Sequence, residues 1–180
     1  MPGQLKAERP LVEVEVKVRV KDPVLIRQAV LNSGGELEKE RYPEENTLFD
    51  FPSRTLTGKR CALRLRRAGR KVFLTFKGAP QKSRRFKVRE EHETEVRDEK
   101  AMRKVLRGLG FVVVFRYEKT RTTFRRGRLK ISLDETAAGC FLELEGEQSD
   151  IVKYARTLGF SSADMIKQDY VEILRQSGAA

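Results

Sequence analysis

The sequence predicts an α+β fold: a closed or nearly closed antiparallel sheet with helices packed outside it. Three observations predict it. Strand segments alternate strictly with period two, a strand-then-helix phrase recurs at an offset of 76 residues, and strand after strand sets an apolar face against a charged one.

Residues 11–20 read L-V-E-V-E-V-K-V-R-V, which puts Val12, Val14, Val16, Val18 and Val20 on one strand face and Glu13, Glu15, Lys17 and Arg19 on the other. Asp22 is an N-cap and Pro23 suits a first helical position, so a helix is predicted over about residues 23–33, with Gly34-Gly35 as its stop. Val20, Asp22, Arg27 and Gly34 recur as Val96, Asp98, Arg103 and Gly110 in the same strand, cap, helix and stop roles. The expectation is an internal duplication of a strand, a helix and further strands. Other strands are predicted at residues 46–51, 61–67, 71–77, 86–96, 112–125, 128–133 and 141–147, making eight with the first. Towards the C-terminus, Ser149 or Asp150 caps a helix to about Leu158 with Gly159 as its stop, and a second helix is expected over about residues 163–175. Residues 79–85, A-P-Q-K-S-R-R, read as a basic loop.

With 180 residues and no long polar or Pro/Gly/Ser-rich stretch, the chain reads as one domain over 1–180, its core at about 11–175. The 38 Lys and Arg against 26 Asp and Glu leave a formal charge of +12, so the partner should be anionic: nucleic acid, an acidic membrane surface or a small polyphosphate. No apolar run approaches the ~20 residues that cross a bilayer, and residues 1–10 lack the apolar segment of a secretory signal. The expectation is therefore a cytoplasmic protein without membrane contact. Cys61 and Cys140 lack metal or redox spacing and read as reduced packing residues.

The charged faces carry the functional signal. Glu13/Glu15/Lys17, Arg64/Arg66, Thr75/Lys77, Arg89/Glu91/Glu93/Glu95, Lys119/Arg121 and Glu143/Glu145 repeat a charged or polar strand face, while Leu63, Leu65, Leu74, Phe76, Leu142 and Leu144 form opposite faces. One such face would ordinarily meet water. Repeated so regularly, the charged faces are expected to line a shared lumen once helices cover the apolar side. Buried charges need partners, and a divalent metal with a highly charged anion supplies them. Glutamates at i and i+2 can share a hard cation such as Mg²⁺ or Mn²⁺, while Lys and Arg grip phosphates. The chain has no G-x-x-x-x-G-K-[ST] loop, so side chains must hold the phosphates. His92, the one histidine, falls on the opposite face from Glu91 and Glu93 and reads as a surface or packing residue.

Glu13-Val14-Glu15-Val16-Lys17 resembles the E-x-E-x-K signature of the CYTH, or triphosphate tunnel metalloenzyme, superfamily. In family order it is followed by N-T-L-F-D at 46–50, A-L-R-L-R at 62–66, L-T-F-K-G at 74–78, R-E-E-H-E-T-E-V at 89–96, E-K-T-R at 118–121, I-S-L-D-E at 131–135 and F-L-E-L-E-G at 141–146. The resemblance implies an eight-stranded antiparallel tunnel, a divalent metal in its lumen and a triphosphate-bearing substrate. It casts Glu13, Glu15, Glu143 and Glu145, with Glu93 and Asp134, as metal-binding carboxylates. It casts Lys17, Arg64, Arg66, Lys77, Lys119 and Arg121 as triphosphate-gripping cations. The wording of several motifs is most similar to the CyaB type, the class IV adenylate cyclases, which implies conversion of ATP to cyclic AMP and pyrophosphate. Two departures stand out: Asn46-Thr47-Leu48-Phe49-Asp50 in place of a D-T-Y-F-D-like phrase, and Asp169-Tyr170 in place of Ser-Tyr. Lys167, beside the latter, reads as a solvated lysine.

The alternatives are a triphosphatase acting on inorganic tripolyphosphate, thiamine triphosphate or nucleoside triphosphates, and a non-enzymatic polyphosphate or RNA binder suggested by the basic runs 82–87 and 125–130. Paired glutamates argue against nucleic acid, because they repel phosphate unless metal intervenes. The sequence assigns no general base and sets no oligomeric state, a homodimer being one option.

Overall fold

The computed structural model describes residues 12–179. Residues 1–10, read above for a secretory signal, and Leu11, placed in the first predicted strand, lie outside the described residues. The elements run β1 (Val12–Val20), α1 (Pro23–Asn32), β2 (Glu36–Asp50), α2 (Thr55–Gly58), β3 (Ala62–Ala68), β4 (Lys71–Lys77), β5 (Lys87–Glu95), α3 (Glu99–Gly108), β6 (Val112–Arg126), β7 (Leu129–Thr136), β8 (Gly139–Glu145), α4 (Gln148–Thr157), β9 (Met165–Ile166) and α5 (Tyr170–Gln176).

Antiparallel pairing runs in the order β5-β4-β3-β2-β6-β7-β8-β1, and β1 pairs back onto β5 to close an eight-stranded barrel. The short β9 takes over the free flank of β1 at Lys17 and Val18, beyond the four residues that pair with β5. Exchanging β1, β2, β3 and β4 for β5, β6, β7 and β8 leaves this cyclic order unchanged. Closure leaves no hydrogen-bonding edge among these eight strands.

Period-two alternation decides which side of the wall is dry. Val16, Val18, Val20, Ile131, Leu133, Leu142 and Leu144 point outward and are buried beneath Ile26 and Val30 of α1 and Ile151, Tyr154 and Ala155 of α4. A second cluster sets Leu63 and Leu65 of β3 with Phe49, Val96 and Leu106 of α3. These two apolar clusters therefore lie outside the barrel, and the charged faces turn inward. α1 and α3 start alike, on Asp22 and Asp98, whose side chains accept from backbone amides in the first turn. Gly34 and Gly110 follow them at φ 82° and 87°, a conformation that glycine adopts without strain.

Several boundaries differ from the sequence reading. β2 begins at Glu36 rather than residue 46: E-L-E-K-E-R carries no apolar alternation, because this half of the strand is exposed on both faces. The expected helix over 163–175 is instead a 3-10 turn at Ser162–Asp164, then β9, then α5. Two capping boxes break it up, Ser161 with Asp164 and Asp169 with Glu172. α4 starts at Gln148 on an N-cap of Glu147, which makes no side-chain cap bond, rather than on Ser149 or Asp150. Phe76 is 36% exposed rather than packed, and Cys61 precedes β3 outside the core clusters, whereas Cys140 packs against the main one.

Leu144 is fully buried under α4 and Val24 of α1 is 74% exposed. Leu144→Ala should lower unfolding free energy by about 2–5 kcal/mol in a urea titration, whereas Val24→Ala should stay within about 0.5 kcal/mol of the parent.

Candidate active site

The barrel interior holds a cavity of about 350 Å³, within the usual ~300–1,000 Å³ of small-molecule sites. Its walls are rows of charges. β1 contributes Glu13, Glu15 and Lys17, and β8 sets Glu145 directly opposite Glu15 and Glu143 directly opposite Lys17. The Lys17 ammonium sits 3.0 Å from Glu15 Oε1 and 3.0 Å from Glu143 Oε2. Burial works against that ammonium, but Glu143 and Glu15 outweigh it and raise its pKa.

Asp134 of β7 anchors the neighbouring wall. It receives Arg121 Nε and Nη2 at 2.6 Å each, Lys119 Nζ at 2.9 Å and the Tyr170 hydroxyl at 2.5 Å. Arg121 also donates to Glu143 at 2.9 Å, and Lys119 lies 3.4 Å from Glu44. Burial and Asp134 together hold the Tyr170 phenol protonated far above its ordinary range. Ring and ammonium also meet here, with Lys17 and Lys119 at 5.1 and 4.5 Å from the Tyr170 centroid. Tyr170, Ile173 and Leu174 of α5 pack on Phe141, Phe115 and Tyr117, inward-facing residues of β8 and β6, and stopper the barrel at that end.

Across the lumen, Arg66 of β3 holds Glu44 at 3.1 Å and Glu93 at 3.0 Å, and Thr75 donates to Glu93 at 2.6 Å. Lys77 of β4 is 2.5 Å from Glu13 and 2.9 Å from Glu91. Burial would raise the Glu15 and Glu44 carboxyls, but Lys17 next to Glu15 brings it down to about 2, and Lys119, Arg121 and Arg66 bring Glu44 lower still. Glu13 goes the other way. Burial first and then the Glu15 charge push it up to about 8, against Lys77, and it is hydrogen-bonded to Glu91, whose own pKa falls. The two carboxyls titrate as a pair that keeps one proton near neutrality.

Of the carboxylates singled out in the sequence, Glu13, Glu15, Glu93, Glu143 and Glu145 line the cavity, as do all six cations: Lys17, Arg64, Arg66, Lys77, Lys119 and Arg121. Asp134 does not. It is fully buried behind Lys119 and Arg121, and cationic or hydroxyl donors occupy both its oxygens. Glu95 pairs with Lys71 outside the cavity, His92 is exposed and joined to Glu90, and Lys167 reaches the Ser83 carbonyl at 3.3 Å. Sequence reasoning missed Glu44, Lys87, Lys130, Asp169, Tyr117 and Tyr170 as parts of the site. Lys87 could have been found by continuing the inward parity of Arg89 and Glu91 back along β5, and Glu44 by continuing that of Asn46 back along β2.

The donors available to a metal are all carboxylate oxygens, the preference of a hard divalent cation. Among the described residues, no three acidic, His or Cys side chains gather into a ready cage. One or two carboxylates with water and phosphate oxygens completing the shell is the Mg²⁺ pattern, and the residues fit it.

A carboxyl whose folded pKa lies above its unfolded value stabilises the fold fully below the unfolded pKa and loses that contribution as pH rises through the folded one. Glu13 moves from 4.5 to about 8. In chelator, unfolding free energy should therefore fall by about 1 kcal/mol or more between pH 5 and pH 9. Glu13→Gln should flatten that decline in urea titrations at the two pH values; an unchanged slope would count against the buried proton.

Comparison with known proteins agrees with this architecture. The CYTH domain family model matches residues 11–170. "Putative adenylate cyclase MJ0240" of Methanocaldococcus jannaschii is 29% identical over 174 residues, covering 91% of this chain and 98% of that protein. The solved structure of a Vibrio parahaemolyticus protein, also described as a putative adenylate cyclase, superposes with a TM-score of 0.81 at 26% identity, covering 93% of this chain and 99% of that one. The Hippeastrum protein HpAC1, described as a putative adenylyl cyclase with a dominant triphosphatase activity, has a TM-score of 0.66 over 92% of this chain and 95% of its own; at 18% identity it supports the fold alone. With the family model spanning nearly the whole chain and the barrel closed as described, this protein belongs to the CYTH domain family.

Proposed function

We propose that this protein is a divalent-metal-dependent enzyme acting on a triphosphate, and that it converts ATP to cyclic AMP and pyrophosphate. The observation that carries the reading is the ring of cations inside a closed barrel, with Lys17, Arg66, Lys77 and Arg121 held in place by carboxylates. The cyclase assignment draws on the names of the Methanocaldococcus and Vibrio relatives.

Lys17, Arg64, Arg66, Lys77, Lys119 and Arg121 would bind the three phosphoryl groups from several sides. Among the described residues, the buried Nε of Arg64 and that of Arg66 have no hydrogen-bond partner, which leaves donor capacity for phosphate oxygens. Asp134 positions Arg121 and Lys119, and Glu44 lies between Arg66 and Lys119, so these side chains are oriented before substrate enters. Glu13, Glu15, Glu143 and Glu145 would hold Mg²⁺ or Mn²⁺, which when bound supplies Lewis-acid stabilisation to the phosphate oxygens. In the cyclase reaction the ribose 3′-oxygen bonds to the α-phosphorus, the bond from that phosphorus to the bridging oxygen breaks, and pyrophosphate leaves with the cations neutralising its charge. The 3′-hydroxyl proton passes to a base that remains unassigned. Water aligned on the terminal phosphorus would use the same cations for hydrolysis, so product identity separates cyclase from triphosphatase.

Incubation with ATP, GTP, thiamine triphosphate and inorganic tripolyphosphate, each with Mg²⁺ or Mn²⁺, should give cyclic AMP and pyrophosphate from ATP. Orthophosphate release alone would make the protein a triphosphatase, and salt-sensitive binding without turnover would make it a binder. Glu15→Gln keeps the side-chain shape and should lower turnover by at least about 100-fold in a protein that still folds, its urea midpoint reduced because Lys17 loses one of its two buried partners; full activity in that variant would remove Glu15 from the site.

A further inference from the structure

Among the described residues, three lumen cations lack a carboxylate oxygen within 3.0 Å: Arg64, whose nearest is Glu93 at 3.8 Å, and the pair Lys87 and Arg89 at the Asp169 end of the cavity. Lys17, Lys77 and Arg121 each hold carboxylates within 3.0 Å. Lys87 and Arg89, two residues apart on β5 and both facing the cavity, have no contact of that kind. Lys87 Nζ is 3.6 Å from Glu15 and 3.5 Å from Asp169 Oδ2, and Arg89 Nη2 is 3.9 Å from the same Oδ2. Arg89 is 8% exposed, yet among the described residues its Nε has no hydrogen-bond partner. A buried guanidinium with an idle donor is costly unless an acceptor reaches it.

The anion now facing the two cations comes from the chain itself. Asp169 divides its carboxylate: Oδ1 accepts the Glu172 amide at 3.0 Å as the N-cap of α5, which leaves Oδ2 alone to face Lys87 and Arg89. One oxygen at 3.5–3.9 Å serves two cations poorly. A phosphoryl group brings three strong acceptor oxygens and more charge.

We infer that Lys87 and Arg89 form a further phosphoryl-binding subsite beside the start of α5, with Asp169 as the resident anion that a bound phosphoryl group displaces. The subsite rests on the triphosphate reading above, and it adds two cations to the six already assigned to the substrate. The phosphoryl group belongs either to the end of the bound triphosphate or to a separate orthophosphate. In both cases Asp169 competes with it, so the C-terminal segment sets the affinity of that end of the lumen.

The test is calorimetric titration of the full chain, in chelator, with inorganic tripolyphosphate and separately with orthophosphate. Asp169→Asn removes the charge but keeps a good helix cap, so the variant should fold. It should bind tripolyphosphate about tenfold more tightly than the parent. Arg89→Gln should bind it about tenfold more weakly, and Lys87→Gln added to Asp169→Asn should cancel the gain. A matching gain for orthophosphate would show that a separate phosphate can occupy the subsite; a gain for tripolyphosphate alone would place the end of the chain there. If the parent binds tripolyphosphate and neither Asp169→Asn nor Arg89→Gln changes it, the subsite is wrong and the triphosphate reading stands. If neither parent nor Asp169→Asn binds it, both fall together.

Discussion

Pairing of charges inside a closed sheet is the constraint on which the rest of this protein depends. Once the valines and leucines of β1, β7 and β8 are committed to the helices outside, alternation turns Glu13, Glu15, Lys17, Lys130, Glu143 and Glu145 into the lumen. Water cannot fully solvate them there, so each must find a partner of opposite sign. Lys17 bridges β1 to β8, Arg121 joins Asp134 to Glu143, and Arg66 spans Glu44 and Glu93. Strands distant in sequence are thereby tied across the barrel by ion pairs.

Such pairs contribute little net stability, because desolvation offsets much of their attraction. Their value is positional. The cations stand in fixed places before any substrate arrives, and a polyanion entering the lumen exchanges one set of anionic partners for another instead of desolvating the cations itself. Asp134 and Glu44 belong to the permanent part of this framework: both are fully buried and neither lines the cavity. Glu13 and Asp169 mark its loose ends. Glu13 and Glu91 share a carboxyl hydrogen bond, with the pKa of Glu13 raised by burial, and Asp169 meets its partners only at long range. The stopper residue Tyr170 opens α5 and the anion Asp169 caps it from the preceding position, so closure of the barrel and charge at its end are set by the same helix start.

Much of this was legible in the sequence where alternation is clean. L-V-E-V-E-V-K-V-R-V states both faces of β1, and Arg64/Arg66 and Glu143/Glu145 state theirs. What failed was anything decided by packing between distant segments. The first half of β2 shows no apolar period because neither of its faces is covered, so Glu44 at its far end escaped notice despite complete burial. The stretch before α5 has helical character, and only the pair of capping boxes shows where the chain turns. Asp134 is cast as a metal carboxylate by the resemblance of its I-S-L-D-E motif alone; its commitment to Arg121, Lys119 and Tyr170 depends on β6 and α5 arriving beside it.

The central claim is that a triphosphate is bound inside the barrel by these pre-paired cations. Diffraction from crystals grown with inorganic tripolyphosphate and Mg²⁺ tests it most directly. Phosphate density is expected within the lumen, in contact with Arg64, Lys77, Lys119 and Arg121, with the carboxylates of Glu15 and Glu143 turned toward the ion. Density confined to the outer surface, with the interior ion pairs undisturbed, would contradict it.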